Sequence, residues 1–374
     1  MRLSAIIVAF AIATIARDAE AYPQFQFSTG SERCQACHFA PDGGGLINDF
    51  GRSEASDTIS WGGDGRFLHG AWTPPAALAL GGDFRIAGLS RTRAEDDPVL
   101  TAFPMQADLY ARVAAGPISI HLTGGLNGTA RSRPDGAGIE TYLVSREHYV
   151  MYQREPGELY VRAGRFYPVL GLRSHDHTAL ARRALDYYLL DEPYALGAGT
   201  AGGTWEAHAS LFAPDPLPST NAGARAYGVT AYYERYVGTG SVAAQARFAE
   251  TSDDRRILVG GVGKWWLAGP GILLLGELDL QRQTIEGSEI ARLQVLAYAG
   301  ATKVMLPGLS IGIAAQRWDP DLRLRGSSRN TAELDVKLFP WAHVELHLLG
   351  RVGVIGGRGT SPDTLAMLQL HYYP

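Results

Sequence analysis

The sequence predicts an all-β protein, a transmembrane antiparallel β-barrel of about sixteen strands that follows a short N-terminal segment. From residue 77 onward, apolar and polar residues alternate with a period of two, which gives each strand one apolar and one polar face. The connections between these segments are alternately short and long, as at the two ends of an outer-membrane barrel. Aromatic pairs near segment ends, such as Trp265-Trp266 and Tyr372-Tyr373, indicate girdles at the membrane interfaces.

Composition excludes several other classes of protein. The net charge of −4 argues against nucleic acid as a partner. After the N-terminus, no run of about eighteen uncharged apolar residues predicts a transmembrane helix. The length of 374 residues suits either two or three ordinary domains or one large barrel.

The N-terminus has the features of an export signal. Arg2 supplies a positive charge, residues 3–16 are apolar, and Ala19-Glu20-Ala21 fits the small-x-small cleavage rule. We therefore expect residues 1–21 to be a signal peptide, and we expect the protein in the bacterial outer membrane. A membrane anchor is the alternative, but the apolar run is too short to span a bilayer.

Cys34 and Cys37 are the only cysteines of the chain, and with His38 they form a Cys-x-x-Cys-His motif. This is the attachment spacing of a c-type haem, in which each thiol adds to one vinyl group and the next imidazole ligates the iron. A redox disulfide would not need the histidine, and a zinc site would need a second pair of ligands. We expect one covalent haem c, held by Cys34 and Cys37 and ligated by His38.

Residues 22–76 are expected to form a monohaem cytochrome c segment. A chain of this size buries little core alone, so we expect it to plug the barrel from the periplasmic side, with the lumen wall completing the haem pocket. His69 is the only other histidine before the barrel and is the candidate for the sixth iron ligand. An exposed linker histidine is the alternative interpretation.

The residues around the motif carry a resemblance to a known family. They are Thr29-Gly30, Arg33, Pro41, Leu46 and Phe50-Gly51-Arg52. Together with the motif, the stretch 25–52 resembles the start of the fused monohaem cytochrome–porins, outer-membrane proteins whose best-known members oxidise extracellular ferrous iron. Ser53-Glu54 departs from the family, which usually continues with an aromatic residue and a lysine.

Residues 77–374 are expected to form the porin-like barrel. The predicted strands are 77–90, 103–115, 118–127, 145–154, 158–166, 194–201, 204–213, 223–236, 239–250, 255–268, 271–283, 290–306, 309–318, 329–338, 342–352 and 364–373. A soluble β-sandwich would show the same alternation with its apolar residues turned inward. The long connection after the fifth strand could fold into the lumen.

The register predicts a charged lumen. Its expected members are Asp108, Arg112, His121, Arg146, Arg162, Glu206, His208, Arg247, Glu277, Asp279, Glu333, Asp335, Lys337, Glu345 and His347. Both signs are interleaved, so the wall is either neutralised by internal pairing or arranged as a path that guides a cation.

Haem and barrel together favour an electron conduit. The hydrocarbon band of such barrels is about 25 Å tall, so a haem left in the periplasm would lie too far from the outer surface for direct transfer. We expect electrons to pass between an extracellular donor, ferrous iron or another reduced metal, and a periplasmic carrier, a cytochrome c or a cupredoxin. The alternative is a diffusion porin in which the haem segment is a structural or sensing plug.

Overall fold

The computed structural model describes residues 23–93, 97–128, 142–174, 176, 179–184, 192–215, 226–288, 290–356 and 361–374. The expected signal peptide, residues 1–21, lies outside them. In the described part of the chain, no helix is long and apolar enough to cross a membrane.

Sixteen antiparallel strands form one closed barrel. They are β1 (Leu78–Thr92), β2 (Val99–Ala115), β3 (Ile118–Asn127), β4 (Leu143–Gln153), β5 (Tyr160–Arg165), β6 (Tyr194–Gly202), β7 (Trp205–Ala213), β8 (Tyr227–Val237), β9 (Gly240–Glu250), β10 (Asp254–Leu267), β11 (Ile272–Ile285), β12 (Arg292–Leu306), β13 (Leu309–Asp319), β14 (Arg329–Trp341), β15 (Val344–Ile355) and β16 (Asp363–Tyr372). Each strand pairs with its neighbours in sequence, and β1 pairs with β16 from Phe84 opposite Tyr372 to Thr92 opposite Thr364. The predicted strand count is confirmed.

The barrel turns its apolar side chains outward. In β3, Ile118, Ile120 and Leu122 are each about half exposed, whereas Ser119 and His121 are buried. A soluble sandwich has the opposite arrangement, so this alternative is wrong. The outward apolar surface is the one that contacts lipid in an outer-membrane barrel.

The lumen contains the charges that the register predicts, because none of the residues named above as lumen-facing is exposed. Many of them pair. Arg146 Nη1 lies 3.0 Å from Asp108 Oδ2, Lys337 Nζ lies 2.7 Å from Asp335 Oδ2, and Arg351 Nε lies 2.8 Å from Glu333 Oε1. Internal pairing of this kind favours the neutralised wall over a continuous path of one charge.

The strand connections distinguish the two ends of the barrel. The connections at one end are mostly very short: 116–117, 154–159, 203–204, 238–239, 268–271, 307–308 and 342–343. The connections at the other end include the longest of the chain: 93–98, 128–142, 166–193, 214–226, 251–253, 286–291, 320–328 and 356–362. Short turns face the periplasm in such barrels. We call this the short-turn end.

The described residues of the connection between β5 and β6 (166–174, 176, 179–184 and 192–193) enter the lumen, as the sequence suggested they could. We call this connection the inward loop. Phe166, Leu170 and Leu172 are buried, and the described part contains a helical turn, α3 (Leu180–Arg183). Leu180 packs against Leu258 and Leu296 of the barrel wall. The loop therefore occupies part of the barrel interior.

Residues 23–76, the N-terminal segment, lie across the short-turn end. They contain a 3₁₀ turn (Pro23–Phe25), the helices α1 (Cys34–Cys37) and α2 (Asp49–Glu54), a π-helical turn (Ala55–Ile59) and a second 3₁₀ turn (Phe67–Gly70). Gly308 N donates to Ile59 O at 2.8 Å, and Ala342 N donates to Gly62 O at 2.7 Å. The Gln35 side chain bonds Gln153, next to another short turn. The segment is thus attached to several of these turns at once.

The orientation of the barrel can be tested by cysteine labelling. Arg325 lies in the 320–328 connection and Glu155 in a short turn, and both side chains are exposed. A membrane-impermeant maleimide should label Arg325→Cys on intact cells, whereas Glu155→Cys should react only after the outer membrane is permeabilised. Labelling of Glu155→Cys but not Arg325→Cys on intact cells would mean that the barrel has the opposite orientation.

Candidate haem site

The predicted haem motif forms one compact turn. Cys34 to Cys37 make up α1, and His38 follows with extended backbone, its N–H donating to Cys34 O at 3.0 Å. Cys34 is buried, Cys37 is half-buried, and the two thiols are not bonded to each other. Both cysteines and His38 line the same cavity, which we call the motif cavity. The structure therefore brings together the three residues that the spacing singled out.

Helix α2 holds this turn in place through a very close contact. A Cβ atom added to Gly51 would lie only 2.4 Å from Cys37 O, so glycine is required where the two helices meet. Asn48 caps α2 by accepting from Gly51 N at 2.9 Å, and its amide donates to Ala36 O at 2.8 Å. The cap thus ties α2 to the motif turn.

The motif cavity has the lining of a cofactor pocket. Its volume is about 720 Å³, counted with the solvent to which it opens. The apolar lining includes Phe25, Ile47, Ala55, Ile59, Leu172 and Tyr373. The charged side chains that line it are Arg33, Glu54 and Arg173. An apolar wall with a few charged groups suits a porphyrin, which has an apolar body and two carboxylates.

The protonation of His38 suits an iron ligand. Burial lowers its pKa to about 4, although the nearby Asp42 carboxylate acts in the opposite direction. The imidazole is therefore neutral at physiological pH, which is the form that ligates metals. Its Nδ1 is buried without a hydrogen-bond partner in the described chain. Burial also raises the pKa of Cys37, to about 11, and that of Cys34.

The structure does not bring His69 to the motif cavity. Its ring stacks on Tyr372 at 5.5 Å and contacts His343 at the same centroid distance. Its Nδ1 lies 3.1 Å from Asp64 O. Leu68 and His69 both adopt left-handed backbone that turns the ring to the barrel wall, so the predicted sixth ligand lies apart from the motif cavity, and its role stays a prediction. Among described residues, His38 is the only imidazole that lines the motif cavity.

The inward loop contributes a wall that the sequence did not reveal. Leu172 and Arg173 line the motif cavity from the lumen side. Arg173 Nη2 lies 3.3 Å from Glu234 and 3.5 Å from Glu206, and its Nη1 donates to Pro41 O at 3.3 Å. Arg173 thus connects the inward loop to the barrel and to the N-terminal segment. No local motif marks it, since its partners are distant in sequence.

Three lumen residues, Tyr110, Arg112 and His121, lie behind the motif. The Arg112 guanidinium is 4.5 Å from the ring centroid of Phe39, the residue after His38. His121 stacks on Tyr149 at 4.4 Å. They support the chain that follows the motif, but they do not line the motif cavity.

A buried ion pair joins three parts of the molecule. Arg162 Nη1 in β5 lies 2.6 Å from Asp42 Oδ1 in the N-terminal segment. Its Nη2 donates to Tyr167 O of the inward loop at 2.9 Å, and its guanidinium lies 3.9 Å from the ring centroid of Phe166. Arg162 therefore fixes the position of both the segment and the loop.

The described residues contain no group of three or more His, Cys, Asp or Glu side chains arranged to hold a metal ion. A site for ferrous iron built wholly from such side chains is therefore not found in the part of the chain that the structure describes. The group that the sequence motif predicts is a haem, for which the protein needs to supply only an axial imidazole and the thioethers.

The sequence matches no protein-family profile and no curated protein. Its fold, however, is similar to several solved structures. OprB of Pseudomonas putida, at high pH, gives a TM-score of 0.61 at 11% identity, over 80% of this chain and 94% of that one. OmpF of Salmonella typhi in complex with daunomycin gives a TM-score of 0.60 at 12% identity, and the match covers 79% of this chain and 97% of that one. An anion-selective porin from Comamonas acidovorans gives a TM-score of 0.55 at 11% identity, and the match covers 79% of this chain and 99% of that one.

These likenesses concern the fold. They agree with the closed sixteen-stranded barrel and with its apolar outer surface. The chain is a porin-like β-barrel of the bacterial outer membrane.

Proposed function

We propose that the chain carries one covalent haem c in the motif cavity and passes electrons between an extracellular donor and a periplasmic carrier. The observation that carries this proposal is that Cys34, Cys37 and His38 line one cavity whose far wall is Leu172 and Arg173 of the inward loop. A haem there would lie between the N-terminal segment and the lumen. When bound, it supplies one-electron redox chemistry.

Each residue of the motif cavity has a chemical role in this proposal. Cys34 and Cys37 tether the haem through thioethers, and the neutral imidazole of His38 is the proximal ligand. Arg33 and Arg173 are cations suited to the haem carboxylates, because guanidinium pairs with carboxylate through charged hydrogen bonds. In this division, residues 22–76 act as the cytochrome segment and residues 77–374 as the barrel.

The donor and the carrier follow from the topology. The N-terminal segment lies at the short-turn end, so a periplasmic cytochrome c or cupredoxin would approach it from that side. The donor would enter from the end with the longer connections. By the family resemblance it would be ferrous iron, and the protein would then act as an iron-oxidising cytochrome.

Spectroscopy of intact cells tests the proposal. Adding ferrous iron outside the cells should give the absorption bands of reduced haem c without permeabilisation. The Cys34→Ser/Cys37→Ser double variant should show no such change, because it lacks the covalent haem. Reduction that occurs only after the outer membrane is opened would contradict the conduit.

A diffusion porin with a haem-bearing plug is the second candidate, favoured by the fold similarity to proteins described as porins. The position of the N-terminal segment across the short-turn end favours the conduit, since that segment lies in the path of solutes. Conductance in planar bilayers separates the two. A conduit should conduct poorly, and porin-like conductance of the haem-loaded protein would favour the second candidate.

A further inference from the structure

A second cavity lies on the lumen side of the inward loop. Its volume is about 1000 Å³, counted with the solvent to which it opens. We call it the outer cavity. Tyr110 of β2, Glu147 of β4 and Tyr298 of β12 line it from the barrel, and Tyr167, Leu170 and Arg182 line it from the inward loop. We propose that it binds a small aromatic molecule that carries hydroxyl groups, of the phenol or hydroquinone class.

The walls of the outer cavity favour an aromatic ring. Tyr110, Tyr167 and Tyr298 present ring surfaces, and Leu170 with Pro168 adds apolar area. Offset or edge-to-face contacts with such side chains stabilise a bound aromatic ring, in addition to the free energy that comes from burying its surface.

One carboxylate in this cavity is available to a ligand. Glu192 is paired with Arg146 at 3.4 Å and with Arg165 at 3.7 Å. Glu147 makes no ion pair within the described chain, and its Oε1 accepts only a long hydrogen bond from Tyr167 N, at 3.5 Å. A carboxyl oxygen accepts hydrogen bonds in either protonation state, so it suits the O–H of a phenol.

The other acids of the outer cavity have partners. Asp42 is bound by Arg162 at 2.6 Å, and Glu277 accepts from Leu172 N at 3.2 Å and from Gln245 Nε2 at 2.9 Å. The described lining therefore offers one uncommitted carboxyl group, that of Glu147, among aromatic rings. This pattern matches a neutral ring with a hydroxyl donor better than a hydrated metal ion, which prefers several oxygen ligands together.

The outer cavity adjoins the motif cavity, because Leu172 and Arg173 line both. A ligand in the outer cavity would be separated from the motif cavity by this two-residue wall. In the proposed function it would occupy the position of the extracellular donor, and to that extent the inference rests on that function. The binding itself needs no haem, so the two can be tested separately.

The test measures binding of 1,4-dihydroxybenzene to the purified full-length protein in detergent, by equilibrium dialysis. Leu170→Trp should fill the cavity and weaken binding at least about tenfold, and Glu147→Leu should weaken it by about tenfold because it removes the hydrogen-bond acceptor. The matched control is Leu109→Trp, the same substitution at a lipid-facing position, which should bind as the wild type does. Cyclohexane-1,4-diol, which has the hydroxyls without the ring, should bind at least about tenfold more weakly.

The outcomes separate this inference from the proposed function. Equal binding by Leu170→Trp and Leu109→Trp would overturn the site, as would equal affinity for the aromatic and the saturated diol. The Cys34→Ser/Cys37→Ser variant should bind 1,4-dihydroxybenzene as the wild type does. If it does so while external donors fail to reduce the wild-type haem, the site stands and the conduit fails.

Discussion

Replacing Cys37 by serine is expected to remove most of the covalently bound haem. Two thioethers require two thiols, and the hydroxyl of serine does not add to the vinyl group in this attachment. The variant should give at most faint haem staining on a denaturing gel, compared at equal protein loading with the wild type. The barrel does not depend on this thiol for its closure, so the variant should still reach the outer membrane.

Ser31→Ala is the matched control for this substitution. The Ser31 hydroxyl lies 3.7 Å from Cys37 Sγ, so the change alters the immediate surroundings of the thiol without removing it. Its haem staining should equal that of the wild type. Wild-type staining in Cys37→Ser would show that the motif does not attach haem through two thioethers, and the cofactor assignment would fail.

Replacing Arg162 by methionine should detach the N-terminal segment from the barrel wall. The substitution leaves the buried Asp42 carboxylate without its cation, and losing one partner of a buried ion pair costs about 3–5 kcal/mol. It also removes the bond to Tyr167 O. We expect the N-terminal segment to become sensitive to protease and to unfold at lower urea concentration, while the barrel remains resistant.

Two further variants make this experiment specific. Arg154→Met changes an exposed arginine in the short turn after β4 and should alter stability by less than about 0.5 kcal/mol. The double variant Asp42→Asn/Arg162→Met should lose less stability than Arg162→Met alone, because the double variant leaves no charge buried and unpaired. If the double variant is the less stable of the two, packing of Arg162 on the ring of Phe166 matters more than the ion pair.

The barrel was predictable because the membrane imposes a simple rule on each strand. Because lipid lies outside the barrel and charged residues line the lumen, apolar and polar residues alternate along each strand. Ile118 and Ile120 could therefore be assigned to the outer face, and His121 to the lumen, from sequence alone.

The motif was predictable for a related reason. The attachment chemistry needs Cys34, Cys37 and His38 within one turn, and that requirement is visible locally.

The rest of the site depends on contacts between distant parts of the chain. Leu172, Arg173 and Tyr373 complete the motif cavity, yet each lies more than about a hundred residues from the motif, and no periodicity marks them. The position of His69 could not be predicted by counting histidines, because counting ignores the backbone. The left-handed conformations at Leu68 and His69 (φ 49° and 54°) direct the ring towards Tyr372.

The contact between Arg52 and the C-terminal residue Pro374 has a consequence for the order of assembly. Arg52 Nη2 donates to Pro374 O at 3.3 Å across 322 positions, and to Leu80 O at 2.6 Å. Contacts of such separation form late, because the entropy of closing the intervening chain must be overcome first. Tyr373 follows β16 directly and lines the motif cavity. The N-terminal segment thus acquires these partners late, and the pocket around the motif is completed only when β16 has paired with β1.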